Sequence, residues 1–111
     1  MGAERAPDPD LALRALADAN RRAIMAAIRA EPRPVGFIAE RVGLSQQATS
    51  HHLGVLRDAG LATGRREGTR HLFAVNTEGL TAVRSYLDGF WPTRLSALKA
   101  VIEAHKANGR G

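Results

Sequence analysis

Four polar side chains without a fixed charge fall on one side of a short stretch in the middle of the chain. They are Gln46, Gln47, Ser50 and His51. Residues separated by three or four positions share a helix face, so this spacing predicts one continuous polar surface. These side chain types donate and accept hydrogen bonds, which suits reading base edges in the major groove of DNA. The alternative interpretation is an ordinary solvated helix face.

Seven further residues could contact the phosphate backbone of a nucleic acid. Four lie on the same stretch and three surround a predicted hairpin tip: Ser45, Thr49, His52, Arg57, Arg65, Arg66 and Arg70. Phosphate contacts set affinity and its salt dependence, whereas base contacts set sequence preference. Thr49 also has the helical spacing of the core-facing Leu53 and Leu56, and His52 could instead pack or orient the helix. For the hairpin arginines, the alternative is a charged tip that contacts only solvent.

The turn before this stretch predicts how it is joined to the preceding helix. Gly43 suits the left-handed position that follows a helix. Ser45 suits the N-cap of the next helix, where its hydroxyl accepts a backbone N–H. Two helices joined by so short a turn cross at a steep angle, which is the helix-turn-helix unit. The sequence therefore predicts this unit over residues 34–42 and 46–58.

The remaining pattern predicts a mainly α fold with a small β-hairpin, in the order α-α-α-α-β-β-α-α. Apolar periodicity predicts further helices near residues 11–17, 19–30, 77–88 and 92–105, with Asp10 and Asp18 as N-caps of the first two. Strands are predicted at 61–66 and 70–75, joined by a glycine-containing turn. This hairpin is the wing of a predicted winged helix-turn-helix domain over residues 10–105, between a flexible arm at 1–9 and a frayed tail at 106–111.

Composition limits the classes of partner and site. The 111-residue chain carries a net charge of +5, and fourteen of its sixteen basic residues are arginine. This balance favours a polyanionic partner such as double-stranded DNA, although a GC-rich genome is an alternative source of the arginines. The lack of cysteine excludes disulfides and thiolate metal sites. No apolar run approaches the roughly 20 residues that span a bilayer, so we expect a cytoplasmic protein with no membrane partner.

Several segments resemble those of the ArsR-type (ArsR/SmtB) winged helix-turn-helix transcriptional regulators. The matching segments are LADANRRAI at 16–24, LSQQATSHHL at 44–53 and VLRDAGL at 55–61, followed by the wing. Residues 90–98 resemble a branch of this family that lacks the cysteine metal site. The resemblance covers about residues 10–104. It implies a homodimer that binds a palindromic operator and usually represses transcription.

Apolar residues near both ends of the domain predict a dimer interface. A terminal helix of so small a chain has little of its own core left to cover. The predicted interface residues are Leu11, Leu13, Leu16, Phe90, Trp91, Leu95, Leu98 and Ile102. A two-fold dimer would hold two copies of the helix at 46–58 about one DNA turn apart, which matches a palindrome.

The metal sites known in this family have no clear counterpart here. Residues 35–40 contain no thiol, and residues 77–93 contain no histidine. His51 and His52 are adjacent, so they point about 100° apart on a helix and chelate one ion poorly. We therefore predict no metal site and no cofactor. The alternative is a nickel- or zinc-responsive regulator in which a dimer brings together His105 and carboxylates from the two subunits, or uses the N-terminal acids Asp8 and Asp10.

The leading hypothesis is a sequence-specific DNA-binding transcriptional regulator, a repressor that binds a palindromic operator as a homodimer. The alternative from another class is a protein-interaction module whose basic wing docks an acidic partner. Catalysis is not expected, because the chain has no cysteine nucleophile, no phosphate-binding loop and no carboxylate pair suited to acid–base chemistry. The sequence does not specify an effector.

Overall fold

The computed structural model describes residues 8–92 and 94–108, with side chains described over 8–92 and 98–106. Six helices and three short strands follow one another along this part of the chain. Their bounds are α1 Pro9–Leu16, α2 Ala19–Ile28, β1 Arg33–Pro34, α3 Val35–Val42, α4 Gln46–Asp58, β2 Ala62–Glu67, β3 Arg70–Val75, α5 Thr77–Asp88 and α6 Arg94–Asn108. The predicted winged helix-turn-helix architecture is confirmed, and the element order differs from the prediction only by the added strand β1.

The strand β1 is a feature that the sequence pattern does not predict. Arg33 pairs with Phe73 and Pro34 with Leu72, both antiparallel, so the sheet order is β1-β3-β2. The prediction had placed Pro34 in the first turn of α3, but it precedes that helix in an extended conformation as its N-cap. Proline is compatible with an edge strand because its missing N–H is not needed there.

The caps expected from the sequence are Asp10, Asp18, Ser45 and Thr77. They are confirmed for α2 and α4 and displaced for α1 and α5, where the cap is Asn76 rather than Thr77. The side-chain oxygens of Asp18 and Ser45 accept N–H groups of the first turns of α2 and α4 at 2.8 and 3.0 Å. In α1 the cap is Asp8 rather than Asp10, because its carboxylate accepts the N–H of Asp10 at 2.9 Å. The helix therefore begins two residues before its predicted start, and Asp10 adds a negative charge to its first turn.

The core is built from α2, α3, the inner side of α4 and the start of the wing. Its largest fully buried side chains are Ile24, Ile28, Ile38, Leu53, Leu56, Leu61 and Thr49. α1 contributes Ala12 and Ala15, whose small side chains are also buried. Because α4 is held by one side only, its opposite side faces outward.

The end of α4 meets the start of α5 at a close contact between two glycines. Gly60 follows α4 with φ of +78°, and the N–H of Gly79 donates to its carbonyl oxygen at 3.0 Å. A Cβ at Gly79 would lie 2.7 Å from the carbonyl carbon of Gly60 and 3.1 Å from the Leu61 side chain. No side chain fits so close to a backbone, so this junction between α5 and the base of the wing requires glycine.

The last helix, α6, extends the protomer away from a compact shape. It continues to Asn108, three residues past the predicted end, and its described side chains at 98–106 are all exposed. The radius of gyration is 19.2 Å, against about 13 Å for a compact chain of this length. None of the described helices is long and apolar enough to cross a bilayer.

Candidate nucleic-acid interface

The turn between α3 and α4 has the geometry that its residues predict. Gly43 is left-handed with φ of +74°, and the N–H of Leu44 donates to the carbonyl of Ala39 at 3.0 Å, which closes α3. Ser45 then caps α4 through its hydroxyl oxygen. The cap accepts one N–H and leaves the serine proton free to donate to another group.

The four side chains predicted to contact bases are exposed on α4. We call Gln46, Gln47, Ser50 and His51 the exposed polar face. None of the four makes a side-chain hydrogen bond or ion pair with another described residue. Since α4 is anchored to the core through its opposite side, these donors and acceptors are presented outward together.

The structure contradicts the phosphate contact predicted for Thr49. Its side chain is 0% exposed, and its hydroxyl donates to the carbonyl of Ser45 at 2.8 Å. Thr49 lies four residues before Leu53, so helical geometry places it on the buried side of α4. It anchors the helix to the core rather than contacting a ligand.

His52 is half-buried and contacts Arg21 of α2. Its Nδ1 lies 3.3 Å from Nη1 of Arg21, whose Nε donates to the carbonyl of Ala15 in α1 at 2.7 Å. A guanidinium only donates hydrogen bonds, so in this contact Nδ1 is the acceptor and Nε2 is left as the donor. His52 therefore orients α4 against α1 and α2, and Nε2 is its remaining donor for a phosphate.

Asp18 also contacts Arg21, and its carboxylate approaches the same Nη1 that faces His52. The backbone N–H of Arg21 donates to Asp18 at 3.2 Å, and the two side chains approach to 3.9 Å. That backbone hydrogen bond is the largest influence on the carboxyl and outweighs desolvation, so the pKa of Asp18 lies below its ordinary value of 3.8. Arg21 thus links Asp18, the N-cap of α2, to His52 of α4 through one guanidinium group.

Arg57 lies exposed in the last turn of α4. Its Nε is 3.7 Å from Oδ1 of the neighbouring Asp58, and both side chains are mostly exposed. An exposed ion pair of this kind contributes little stability, so it does not hold Arg57 in place. The phosphate contact predicted for Arg57 stays a prediction.

The wing carries its three arginines on both faces. In the β2–β3 register, Arg66 lies opposite His71 and Glu67 lies opposite Arg70. Because directly opposed residues share a face, Arg66 is on one side, while Arg65 and Arg70 are on the other. Arg65 also lies 3.5 Å from Glu67, and all three arginines are exposed.

A packing contact supports the wing on the Arg66 side. The ring of His71 lies 4.5 Å from that of Phe73, centroid to centroid. A Cβ at Gly64 would lie 2.7 Å from Nε2 of His71, so Gly64 provides the space that the histidine ring occupies. The sequence pattern does not single out Gly64, because its role depends on which residues lie across the hairpin.

A separate apolar face runs along α1, the end of α5 and α6. Five predicted interface residues are exposed: Leu11 at 36%, Phe90 at 70%, Trp91 at 64%, Leu98 at 57% and Ile102 at 50%. Tyr86, Leu87 and Val101 are also exposed, which the prediction missed. Large apolar residues grouped on so small a protomer mark a surface that another molecule covers.

Three predicted interface residues are not among the exposed side chains of the apolar face. Leu13 and Leu16 are half-buried against the core of their own protomer, so much of their apolar surface is already covered. Leu95 lies outside the residues whose side chains the structure describes. For these three residues the interface role stays a prediction.

Potential metal ligands do not cluster within the described part of one protomer. No three side chains of histidine, aspartate or glutamate come together there. A nickel or zinc site that uses His105 and a second subunit is a different arrangement and stays a hypothesis.

Comparison with known proteins decides the family. Residues 16–65 match the family described as Helix-turn-helix domain. The chain is 40% identical over 96 residues to the HTH-type transcriptional regulator Rv2034 of Mycobacterium tuberculosis, a match that covers 86% of this chain and 90% of that protein. It is also similar to the crystal structure of the ArsR family transcriptional regulator RHA00566, with a TM-score of 0.65 and 26% identity over 77% of this chain and 91% of the other. The chain belongs to the ArsR family.

A second solved structure is similar to this ArsR-family protein. It is the homodimeric winged helix-turn-helix DNA-binding domain of Mb0332 from Mycobacterium bovis, with a TM-score of 0.59 and 28% identity over 86% of this chain and 78% of that one. This ArsR-family chain is therefore a transcriptional regulator with a DNA-binding winged helix-turn-helix fold, and not an enzyme.

Proposed function

We propose that this ArsR-family protein is a homodimeric repressor that recognises an inverted-repeat operator through α4. The observation that carries the proposal is the exposed polar face, whose side chains make no hydrogen bond or ion pair with described residues, while Thr49 and the apolar side of α4 fix the helix. Glutamine pairs bidentately with adenine, and serine and histidine bond several bases. Gln46 and Gln47 occupy the first turn of α4, which is the end that enters the major groove in this class of fold.

Phosphate contacts on either side of α4 would fix its register. Ser45 has a proton left to donate, and His52 has Nε2. In the wing, arginines on both faces surround the tip with positive charge, so the hairpin can meet the backbone or the minor groove beside the site. These contacts give affinity that falls with salt, while the exposed polar face gives sequence preference.

The exposed apolar face supports a two-fold dimer. Its residues come from α1, α5, α6 and the segment between the last two helices, all of which flank the helix-turn-helix rather than form it. The similar domain of Mb0332 is described as homodimeric. A dimer built this way leaves both copies of α4 free, about one DNA turn apart, and would recognise a palindrome.

Repression is the direction that the family resemblance favours, since a dimer bound over a promoter occludes it. The nickel- or zinc-responsive alternative adds an effector to the same DNA-binding activity. The protein-interaction alternative replaces DNA with an acidic partner for the wing. The three hypotheses predict different results in one experiment.

The test is a selection of bound sequences from a random duplex library with the full chain. One arm contains a chelator, and two further arms contain added nickel or zinc. We expect a single enriched inverted repeat in the chelator arm. A change in operator affinity with nickel or zinc would support the metal-responsive alternative, and a lack of enrichment in every arm would overturn base recognition and favour the protein-interaction module.

A matched pair of variants assigns the recognition to α4. Gln47→Ala removes one side chain of the exposed polar face, and we expect the enriched base at the corresponding position to lose its preference. Discrimination at that base pair should fall by about 1–3 kcal/mol. Thr81→Ala, an exposed substitution on α5, is the control and should leave the enriched sequence unchanged.

A further inference from the structure

An apolar cavity with a volume of about 330 Å³, widely open to solvent, lies between α2, the end of β3 and the start of α5. Met25 and Ala26 of α2 face Val75 and Leu80, and Leu16 at the end of α1 closes one side. The volume falls at the lower end of the range of small-molecule sites, about 300–1,000 Å³. None of the large exposed apolar residues of the apolar face lines this cavity.

Arg22 of α2 and Arg29, which caps the end of that helix, lie at the edge of the cavity. Arg22 and Arg29 are seven residues apart, which is about two helical turns, so they lie on the same side of α2 as Met25 and Ala26. Nη1 of Arg22 donates to the carbonyl of Leu16 at 2.8 Å. Arg29 makes no ion pair with any described acidic residue, and no carboxylate lines the cavity.

The apolar walls and the arginines at the edge together favour one class of ligand. Apolar walls favour a hydrocarbon body, because its transfer from water is favourable in proportion to the area buried. Uncompensated guanidinium groups at the edge favour an anion, and the planar fork of arginine matches a carboxylate. We infer that the cavity binds a small amphiphilic carboxylate, with its apolar body between α2 and α5 and its carboxylate on Arg29 and Arg22.

The position of the cavity connects it to the rest of the molecule. Arg22 holds the carbonyl of Leu16 at the joint between α1 and α2, and α1 carries part of the apolar face. A ligand carboxylate that accepts the Arg22 hydrogen bond in place of the Leu16 carbonyl changes the packing of α1 against α2. If two copies dimerise through α1, the spacing of the two α4 helices changes with it, and so does operator affinity. This regulatory consequence rests on the proposed function, whereas ligand binding itself does not.

Methionine labelling gives a direct test of binding. The chain has two methionines, of which Met25 lines the cavity and Met1 is far from it in sequence. We would label both with ¹³C-methyl groups and titrate the full chain with octanoate and, separately, with octan-1-ol. We expect octanoate to shift the Met25 methyl signal saturably, and the alcohol to bind about tenfold or more weakly because a charged hydrogen bond is lost.

Three substitutions sharpen the assignment. Arg29→Gln should weaken octanoate binding about tenfold, and Arg84→Gln on the exposed side of α5 is the charge-matched control that should not. Ala26→Leu places a larger side chain at the cavity wall and should abolish the Met25 shift. Ala26 is exposed at the cavity edge, so a thermal melt near that of the parent protein would show that this variant still folds.

The outcomes separate this inference from the proposed function. No saturable Met25 shift, equal affinity for the alcohol, or no effect of Arg29→Gln would overturn the carboxylate site. A Met25 shift that follows protein concentration instead of octanoate would mean that a second copy covers the cavity, which also overturns it. Operator selection without octanoate tests DNA recognition alone, so either conclusion can fail while the other stands.

Discussion

Two neighbouring residues of α4 illustrate how single side chains divide between folding and binding. Thr49 is fully buried with its hydroxyl on the carbonyl of Ser45, and Ser50 is exposed without a described partner. The helix turns by about 100° per residue, so one step along the chain moves a side chain from the core to the surface. Stability and DNA affinity are therefore expected to respond to different substitutions at adjacent positions.

The first prediction uses this pair. Thr49→Val keeps the side-chain shape but loses the hydrogen bond, so the free energy of unfolding should fall by about 1 kcal/mol while operator recognition is retained. Ser50→Ala should change the free energy of unfolding by less than about 0.5 kcal/mol and weaken operator binding. Urea unfolding and DNA titration measure the two effects. Loss of DNA binding in a folded Thr49→Val protein would restore the phosphate contact that the structure contradicts.

The second prediction concerns the glycine contact between α4 and α5. Gly79→Ala forces a Cβ against the backbone of Gly60 and should lower the free energy of unfolding by about 1–3 kcal/mol. Gly54→Ala is the matched control, because a Cβ there would approach only Arg57, at 3.8 Å. Alanine favours the helix, so Gly54→Ala should raise the free energy of unfolding by up to about 1 kcal/mol. Equal effects of the two substitutions would show that the contact can relax.

The third prediction follows from the lowered pKa of Asp18. A carboxyl whose pKa is lower in the folded state stabilises the protein above its unfolded value, near 3.8, and this contribution is lost as pH falls through the folded pKa. Asn also caps helices, so Asp18→Asn removes the charge and keeps a capping side chain. The variant should be less stable than the parent protein at neutral pH, and the difference should vanish at pH values well below 3.8. Urea unfolding across this range would show a constant difference if the charge is unimportant.

At the scale of elements, the wing is a hairpin whose tip is charged and whose base is packed. Its strands pair over six residues each, and Gly68, with φ of +67°, makes the tight turn. Near the base, Leu72 and Phe73 are buried, while the tip arginines are exposed. The buried base therefore anchors the hairpin to the core, and the charged tip projects from it.

The fourth prediction measures what the tip contributes. If Arg66 contacts a phosphate, Arg66→Gln should reduce the slope of log affinity against log salt by about one and weaken binding to all DNA sequences similarly. Arg84→Gln, which removes one charge from α5, should leave the slope unchanged. DNA titrations at several salt concentrations measure both. An unchanged slope for Arg66→Gln would show that Arg66 contacts solvent rather than phosphate.

Local signals explain which elements the sequence predicts well. The bounds of α4 agree with the prediction because Ser45 and Gly60 are strong start and stop signals that act within a few residues. The strand β1 was missed because its two residues contain a proline that reads as a helix start. Pairing with β3 depends on residues about forty positions away, which a local pattern does not contain.

The same limit applies to the candidate site. The exposed polar face follows from helical spacing alone, so its four members could be predicted. The burial of Thr49 follows from the same spacing. Its hydroxyl suits a phosphate contact, but its place on the buried side of α4 prevents one. Contacts that join distant segments were not predicted, such as Arg21 with His52 and Gly60 with Gly79.

At the scale of the whole molecule, the surface proposed to bind DNA lies on α4 and the wing, whereas the surface proposed to bind a second copy lies on other elements. The fifth prediction tests the second interface. Leu98→Gln removes an exposed apolar side chain from α6 and should raise the dimer dissociation constant about tenfold or more, because each dimer loses two buried leucines. Lys99→Gln is the control on the same helix. Sedimentation equilibrium measures the constant, and equal values for both variants would place the interface elsewhere.

The single tryptophan gives an independent signal for the same event. Trp91 is 64% exposed in the protomer. Its emission should shift to shorter wavelength as the protein concentration rises through the dissociation constant, since dimerisation buries the indole. For Leu98→Gln this shift should need a higher concentration.

The strand β1 has a consequence for how fast and how tightly a duplex is captured. It joins the segment before α3 to the central strand of the wing, and Arg33 lies 4.2 Å from the centre of the Phe37 ring in α3. The wing and the helix-turn-helix therefore share one rigid frame before any duplex arrives. If the chain binds duplex DNA as proposed, this connection reduces the conformational entropy lost on association, so loosening β1 should weaken binding to all sequences similarly without changing the preferred one.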